Sequence, residues 1–319
     1  MKNLIRSRIR QIKHFSRLHW DVRSKVIILL FHRVLPHIDL NPFGTVVSLR
    51  TFRNQIEFLS SNFSIISLSD AISQIKRGET KSKLQIVLTF DDGFIDNYVH
   101  AFPLLKSKGL RATFFLTTNY IDQHETLWDW ELAKAMAKSK NNFVLQGINT
   151  NETLERDVAQ DDVDFLWKVI RRLKCISPNE RTNLLNTIYK EIGYEVRSGE
   201  ADKCMSWEDV RVMQSSGMEF GSHGCSHSSL AQIPFHEARS EIHSSKNIIE
   251  KKLGNGCFHF AFPHGSTEDY GDNLIDEVRK AGYYDSLLNV HGYNYTDQDA
   301  FSLKRKIIFE DTEINYILG

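Results

Sequence analysis

Apolar positions along the chain follow two rhythms, and their alternation predicts an α/β protein. Continuous apolar runs at 26–31 and 86–90 read as strands buried on both faces, and the second ends in Asp91-Asp92-Gly93. Shorter runs of the same kind lie at 65–66, 111–116, 218–223, 258–262, 284–290 and 306–309. Between them the spacing turns helical: at 51–61, with Phe52, Ile56 and Leu59 on one face, from Ser69-Asp70 through Ile75, and at 98–108 before Gly109. Further helices are expected from Ser206-Trp207 to Gly217, at 235–253, and at 272–281 before Gly282. Strand, turn, helix and strand in that order form a βαβ unit, so the sheet is expected to be parallel.

Residues 125–203 break the rhythm with helical patterns at 130–136, 165–173 and 181–192. They read as a helical insertion placed as a lid. Trp128, Asp129 and Trp130 at its start are expected to line a sugar-binding cleft, because aromatic faces pack on the apolar faces of sugars. The expected organisation is a basic segment 1–24 and a domain 25–319 that carries the insertion at about 125–203.

Composition adds limits rather than direction. The 319 residues are 41% hydrophobic and 25% charged, enough for one large domain or two small ones. Lys plus Arg equals Asp plus Glu at 40 each, which removes the global basic excess of a nucleic-acid binder. The four cysteines are scattered without C-x-x-C spacing and read as reduced thiols. No apolar run is long enough to predict a membrane span. In 1–24, Ile5, Ile9, Ile12 and Phe15 recur at helical spacing among Lys2, Arg6, Arg10, Lys13 and Arg17. That pattern interrupts a signal-peptide core and suits either a helix packed on its own domain or one lying on an anionic membrane surface. The expectation is a cytoplasmic protein, peripheral at the inner membrane face.

The chemistry gathers at the end of the 86–90 run. Adjacent carboxylates at the tip of a core strand are costly to bury unless paired, protonated or bound to a metal. They also push each other's pKa values apart, which suits one for ligation and the other for proton transfer. Far downstream, His223 and His227 stand four apart in Gly221-Ser222-His223-Gly224-Cys225-Ser226-His227, so both imidazoles can reach one ion. The H-E-x-x-H metalloprotease pattern shares this spacing, but its general base would fall on Gly224. Two histidines and a carboxylate leave open positions on Zn²⁺, as hydrolysis requires. His32, after the 26–31 run, sits where parallel barrels place catalytic groups. Each signal alone has an ordinary alternative: a solvated Asp-Gly bend, or a core histidine bonded to backbone.

Taken together, Thr89-Phe90-Asp91-Asp92-Gly93, then Ser222 to His227, then Phe262-Pro263-His264-Gly265, resemble the polysaccharide deacetylase family (NodB homology domain, carbohydrate esterase family 4). The resemblance runs in order over about 26–310 and implies a distorted (β/α) barrel of about seven parallel strands. It also implies zinc-dependent hydrolysis of N-acetyl groups on an amino sugar, in a polysaccharide or a lipid-linked glycan precursor. Carried over by position, Asp92, His223 and His227 are the metal ligands and Asp91 is the general base. Backbone N–H groups near His264 complete an oxyanion hole, and Phe262, Pro263 and Trp128 meet the substrate. The chain departs from the family twice. Ala261 stands where many members carry an arginine, so Arg305 is expected to orient Asp91. The late leucine-x-histidine motif is absent, so the general acid is sought first in His32, then His264, then His291. The alternatives are a catalytically impaired carbohydrate-binding protein of the same fold, or a deformylase or other amidase using the same metal site.

Overall fold

The computed structural model describes residues 25–79, 84–123, 125–139, 144–145, 154–155, 162–196, 202–296 and 298–314. The basic segment expected at 1–24 lies outside the described residues. Strand β1 (Lys25–Phe31) is buried at every position from Val26 onward, which requires cover on both faces. It is followed by β2 (Arg33–Leu35), β3 (Val46–Ser48), α1 (Leu49–Asn62), β4 (Ser64–Ile66), α2 (Leu68–Arg77) and β5 (Gln85–Phe90). A π-helical turn (Asn97–Ala101) then runs into α3 (Phe102–Ser107), and β6 (Thr113–Leu116) returns to the sheet. The insertion carries α4 (Trp128–Lys138), the short pair β7 (Val144–Leu145) and β8 (Leu154–Glu155), α5 (Asp162–Leu173) and α6 (Pro178–Glu191). The chain ends its circuit with α7 (Trp207–Ser215), β9 (Glu219–Ser222), α8 (Phe235–Leu253), β10 (His259–Ala261), α9 (Asp272–Lys280), β11 (Asp285–Leu288), β12 (Asn294–Tyr295) and β13 (Leu303–Ile307).

Seven parallel strands close the barrel in the order β1, β5, β6, β9, β10, β11, β13 and back to β1. The expected barrel of about seven strands is therefore the observed one, and its distortion has a structural cause. Strand β5 pairs with β4 through Gln85–Val87 and with β6 only from Thr89 onward. Strand β1 likewise pairs antiparallel with β12 at Lys25 and Val26, and with β13 from Ile28 onward. The ring is tight only towards the C-terminal ends of these strands, where parallel barrels hold their chemistry.

The pleat sorts side chains into two cores. Ile27, Leu29, Phe31, Leu88, Phe90, Phe114 and Phe260 belong to the cluster shared with the surrounding helices, including Phe52 and Ile56 of α1. Val26, Ile28, Val87, Phe115, Ala261, Leu287 and Leu303 form the inner column, closed below by Leu68, Ala71, Ile72 and Ile75 of α2. Beneath the apolar layer lies a polar floor, where His259 Nδ1 is 2.6 Å from Asp285 and Nε2 is 2.9 Å from Ser69 Oγ. Gly221 belongs to the inner layer because Phe115 fills its space: a Cβ there would lie 2.5 Å from the Phe115 ring and 2.8 Å from the His259 carbonyl. Gly221→Ala is accordingly expected to lower the unfolding free energy by about 1–3 kcal/mol or more through overpacking, read as a lower denaturant midpoint. An unchanged midpoint would show that β6 and β9 can part without cost.

Two local expectations change. The helix expected at 98–108 begins as a π turn, a form that recurs near functional sites, and Asn97 uses it to donate to the His32 carbonyl. Strands β2 and β3 are too short to show a period in the sequence. The insertion has its own apolar cluster, including Leu132, Leu166, Val169, Ile170 and Ile188. It is tied to the barrel by the buried Lys174–Asp269 pair at 2.6 Å. Among the described residues no helix is long and apolar enough to cross a membrane.

Candidate active site

Strand parity brings the upper rim of the inner column together. His32 continues Val26, Ile28 and Leu30; Asp91 continues Val87 and Thr89; His223 follows Gly221; Arg305 follows Leu303. Hydrogen bonds of the barrel ladder extend into both key turns, from Asp91 N–H to the Phe31 carbonyl and from His223 N–H to the Leu116 carbonyl. Beyond them the backbone is forced. Asp92, His227 and His264 are three of the four described non-glycine residues with positive φ, at 78°, 55° and 60°. Such conformations cost about 1–3 kcal/mol and persist where surroundings over-determine them.

The neighbouring carboxylates end up in opposite electrical settings. Both oxygens of Asp91 accept from Arg305, whose Nη1 and Nη2 each stand 2.7 Å away. Burial alone would push this carboxyl up, but the guanidinium, aided by His223, holds it below the usual range. Asp92 has no such partner. Its Oδ1 has no hydrogen-bond partner among the described residues, and it faces His227 Nε2 at 3.4 Å and His223 Nε2 at 3.6 Å. Burial dominates there and pushes Asp92 up to about 7, with His227 opposing and Asp129 and Asp91 assisting.

This arrangement fits a divalent cation. His223 Nδ1 donates to the Ala261 carbonyl at 2.8 Å, which fixes the tautomer and leaves Nε2 a bare lone pair. Burial lowers His223 to about 3, so it is neutral at ordinary pH and able to ligate. The ligand atoms of Asp92, His223 and His227 all lie within 4.8 Å of one another, and a buried carboxylate oxygen without a hydrogen-bond partner among the described residues, facing imidazole nitrogens, is the donor set such an ion takes. On the far side of His227, Nδ1 lies 3.0 Å from Asp129 Oδ2, close but poorly aligned for a hydrogen bond. Burial lowers His227, yet Asp129 outweighs it and holds the imidazole above its usual range. Carboxylates placed behind ligating histidines set affinity, so Asp129→Asn is expected to weaken divalent-metal binding about 10- to 100-fold. Competition titration against a chelating dye measures it; an unchanged affinity removes Asp129 from the site.

The loop carrying both histidines is held from two sides. Glu241 of α8 accepts from the Cys225 and Ser226 amides at 2.6 and 2.9 Å and from Ser226 Oγ at 2.7 Å. From the insertion, Arg181 donates to the Ser226 carbonyl at 2.8 Å and packs over the Trp128 ring. Trp128 Nε1 in turn donates to the His227 carbonyl at 3.1 Å. The start of the insertion is therefore a brace for the loop, where the sequence suggested a sugar cleft.

The remaining expected site residues separate. Trp128 is 5% exposed and Phe262 fully buried, its ring edge-on to Phe260 and tilted against Tyr270, so neither offers a face to a sugar. Phe262 shares the outward parity of Phe260, and Pro263 is buried against the Gly224 turn. His32 is half-buried beside Asp91 and Arg305, with Nδ1 unpartnered among the described residues. Burial lowers it to about 4, Asp91 pulls up, and Arg305 pushes down. The His264 ring lies 4.5 Å from that of His227, and with Asp129 and His227 it forms a second group of ligand-type atoms within 4.8 Å. The Gly265 amide donates to the Pro263 carbonyl and is not free for an oxyanion. His291 lines a side cavity with Arg305. Sequence reasoning missed Glu241 and Arg181 altogether and gave Asp129 a different task. An acid on the buried stripe of Ala238, Ile242, Ser245 and Ile249 was the available signal for Glu241.

Comparison with known proteins agrees with this geometry. The family profile described as polysaccharide deacetylase matches residues 78–166 and 182–285. YxkH of Bacillus subtilis (strain 168), named for the same family, is 28% identical over 116 residues, 36% of this chain and 39% of that relative. The chain thus aligns with well under half the length of the curated relative it matches. Among solved structures, the Streptococcus pyogenes deacetylase PplD in complex with acetate superposes with a TM-score of 0.60 at 18% identity, covering 91% of this chain and 94% of that one. IcaB from Ammonifex degensii superposes at 0.61 with 17% identity, covering 92% and 97%. At these identities the likeness is one of fold.

Proposed function

Because the chain belongs to the polysaccharide deacetylase family, we propose that it is a metal-dependent hydrolase that removes N-acetyl groups from amino-sugar residues of a glycan. The observation that carries this reading is the division of labour between adjacent acids: Asp91 held ionised by Arg305, Asp92 orphaned towards the Nε2 atoms of two imidazoles. Asp92, His223 and His227 would hold the ion, and the mixed histidine–carboxylate set favours zinc. A divalent ion there supplies Lewis-acid polarisation of an amide carbonyl and acidifies water.

The protein's own groups supply the rest. Asp91, kept low by Arg305, is ionised at neutral pH and takes the proton of the attacking water. Its oxygens stay in place because both are tied to one planar guanidinium. His32 is our choice for the proton donor to the departing amine. It is neutral at rest, so the proton it passes to the amine is the one that Asp91 takes from the water, and the Asp91 carboxylate favours its charged form. The test is acetate release from N-acetylated hexosamine oligomers, with and without added divalent metal. Metal-stimulated release that a chelator abolishes is expected; no acetate from any N-acetylated sugar in metal-loaded wild type would end this reading.

A further inference from the structure

The imidazole of His32 is aimed by its backbone. Its Nδ1 is buried and unpartnered, and among the described residues no hydrogen bond reaches Nε2. A ring with no anchoring bond takes its place from the Cα that carries it and from its rotamer. His32 also stands between two ladders, one that ends at Phe31 and one that begins at Arg33, so sheet pairing does not fix it either. The turn after β5 does. Asn97 Nδ2 donates to the His32 carbonyl at 2.8 Å and to Asp96 Oδ1 at 3.1 Å. A carbonyl and a carboxylate only accept, so the amide orientation is determined. On the other side of His32, the Val34 amide donates to the same Asp96 Oδ1 at 2.8 Å. Asp96 Oδ2 accepts from Arg33 Nε at 2.9 Å, and that guanidinium lies over the Phe94 and Trp130 rings, 4.5 and 4.7 Å from their centres. Arg33, Asp96 and Asn97 are all buried, so water does not compete for these bonds.

The segment that grips His32 is also the one that carries Asp91 and Asp92. The Asp91 amide donates to the Phe31 carbonyl at 3.1 Å, one peptide before His32, and the chain then opens the π turn at Asn97. One stretch of backbone thus sets the base, a metal ligand and the proton donor relative to one another. Proton transfer is sensitive to such placement, because a shift of about 1 Å costs about 10²-fold in rate.

We propose that Asn97, anchored by Asp96, is a positioning residue that acts through the His32 carbonyl and sets the imidazole where it meets the departing amine. The inference rests on the deacetylase reading for the identity of the reaction, while the placement is its own content. Two acetyl substrates on the metal-loaded full chain test it: an N-acetylated hexosamine oligomer, whose amine leaves only with a proton, and para-nitrophenyl acetate, whose phenolate leaves without one. Asn97→Leu keeps the side-chain volume and removes the donor, and Asn97→Ala removes both. Each is expected to lower kcat on the amide at least about tenfold and on the ester less than about twofold. In a His32→Ala background, Asn97→Leu should lower the amide kcat by less than about twofold more, because its effect runs through the imidazole. Crystal structures of wild type and Asn97→Leu should show the His32 ring displaced by about 1 Å or more, with Asp92, His223 and His227 in place. Equal losses on both substrates in both Asn97 variants, as a purely structural role or a failure to fold would give, overturn the inference. So do additive losses with His32→Ala, or a ring that stays where it was. Amide cleavage at the wild-type rate in both variants sinks the placement and leaves the reaction. A displaced ring in a protein whose wild type releases no acetate from any N-acetylated sugar sinks the reaction and leaves the placement.

Discussion

His223→Ala is expected to yield a folded barrel that retains no stoichiometric divalent metal and releases acetate at least about a thousandfold more slowly, several kcal/mol of lost transition-state stabilisation. The fold should survive because His223 lies on the rim above the apolar layer, and among the described residues its imidazole makes one hydrogen bond, to the Ala261 carbonyl. The site should not, because Asp92 and His227 alone leave the ion two ligands. Metal analysis beside an acetate assay reads both; full metal content in the variant would remove His223 from the site. The same geometry sets a pH dependence. Asp92 is raised to about 7 in the folded protein, above the ordinary carboxyl value near 3.9. The folded state therefore binds the extra proton between these values, and stability of the metal-free protein falls as pH rises from about 4 to 7. An added divalent ion offsets that charge, so it should raise Tm more at pH 8 than at pH 5.

How much of this was written in the sequence differs residue by residue. The strands of the barrel were legible because two-sided burial leaves continuous apolar runs, as at Val26 to Phe31. The sharing of β5 between β4 and β6 was not, since pairing register leaves no trace in a run buried on both faces. Asp91, Asp92, His223 and His227 announced themselves by residue type and by strand ends. Arg305 was reached only by exclusion, once Ala261 vacated the usual arginine position, and the structure sets its guanidinium on Asp91. Phe262 was misjudged by one step of parity: Ala261 faces inward and Phe262 faces the helices. Asp129 stands 98 positions before His227, and no spacing rule links an acid between tryptophans to a histidine that distant.

Asp91→Asn should separate chemistry from metal binding. The amide keeps the size of the carboxyl and leaves Asp92, His223 and His227 untouched, so metal content should match wild type while kcat falls about 10²- to 10⁴-fold, the usual worth of a positioned base. Lost metal would instead place Asp91 among the ligands, against its bidentate engagement with Arg305. Stability is expected to fall too, by about 3–5 kcal/mol, because Arg305 is left fully buried without its counter-charge. The pH profile of that loss has a definite sign. Asp91 is depressed in the folded state, so its contribution is present above the unfolded value near 3.9 and disappears as pH falls through the folded one. The variant should therefore lose less stability than wild type on acidification. Adding Arg305→Met to Asp91→Asn removes the stranded charge, and recovery of stability without recovery of kcat is the expected outcome. Recovery of both would show that neither residue takes part in the reaction, and that their pairing serves the fold alone.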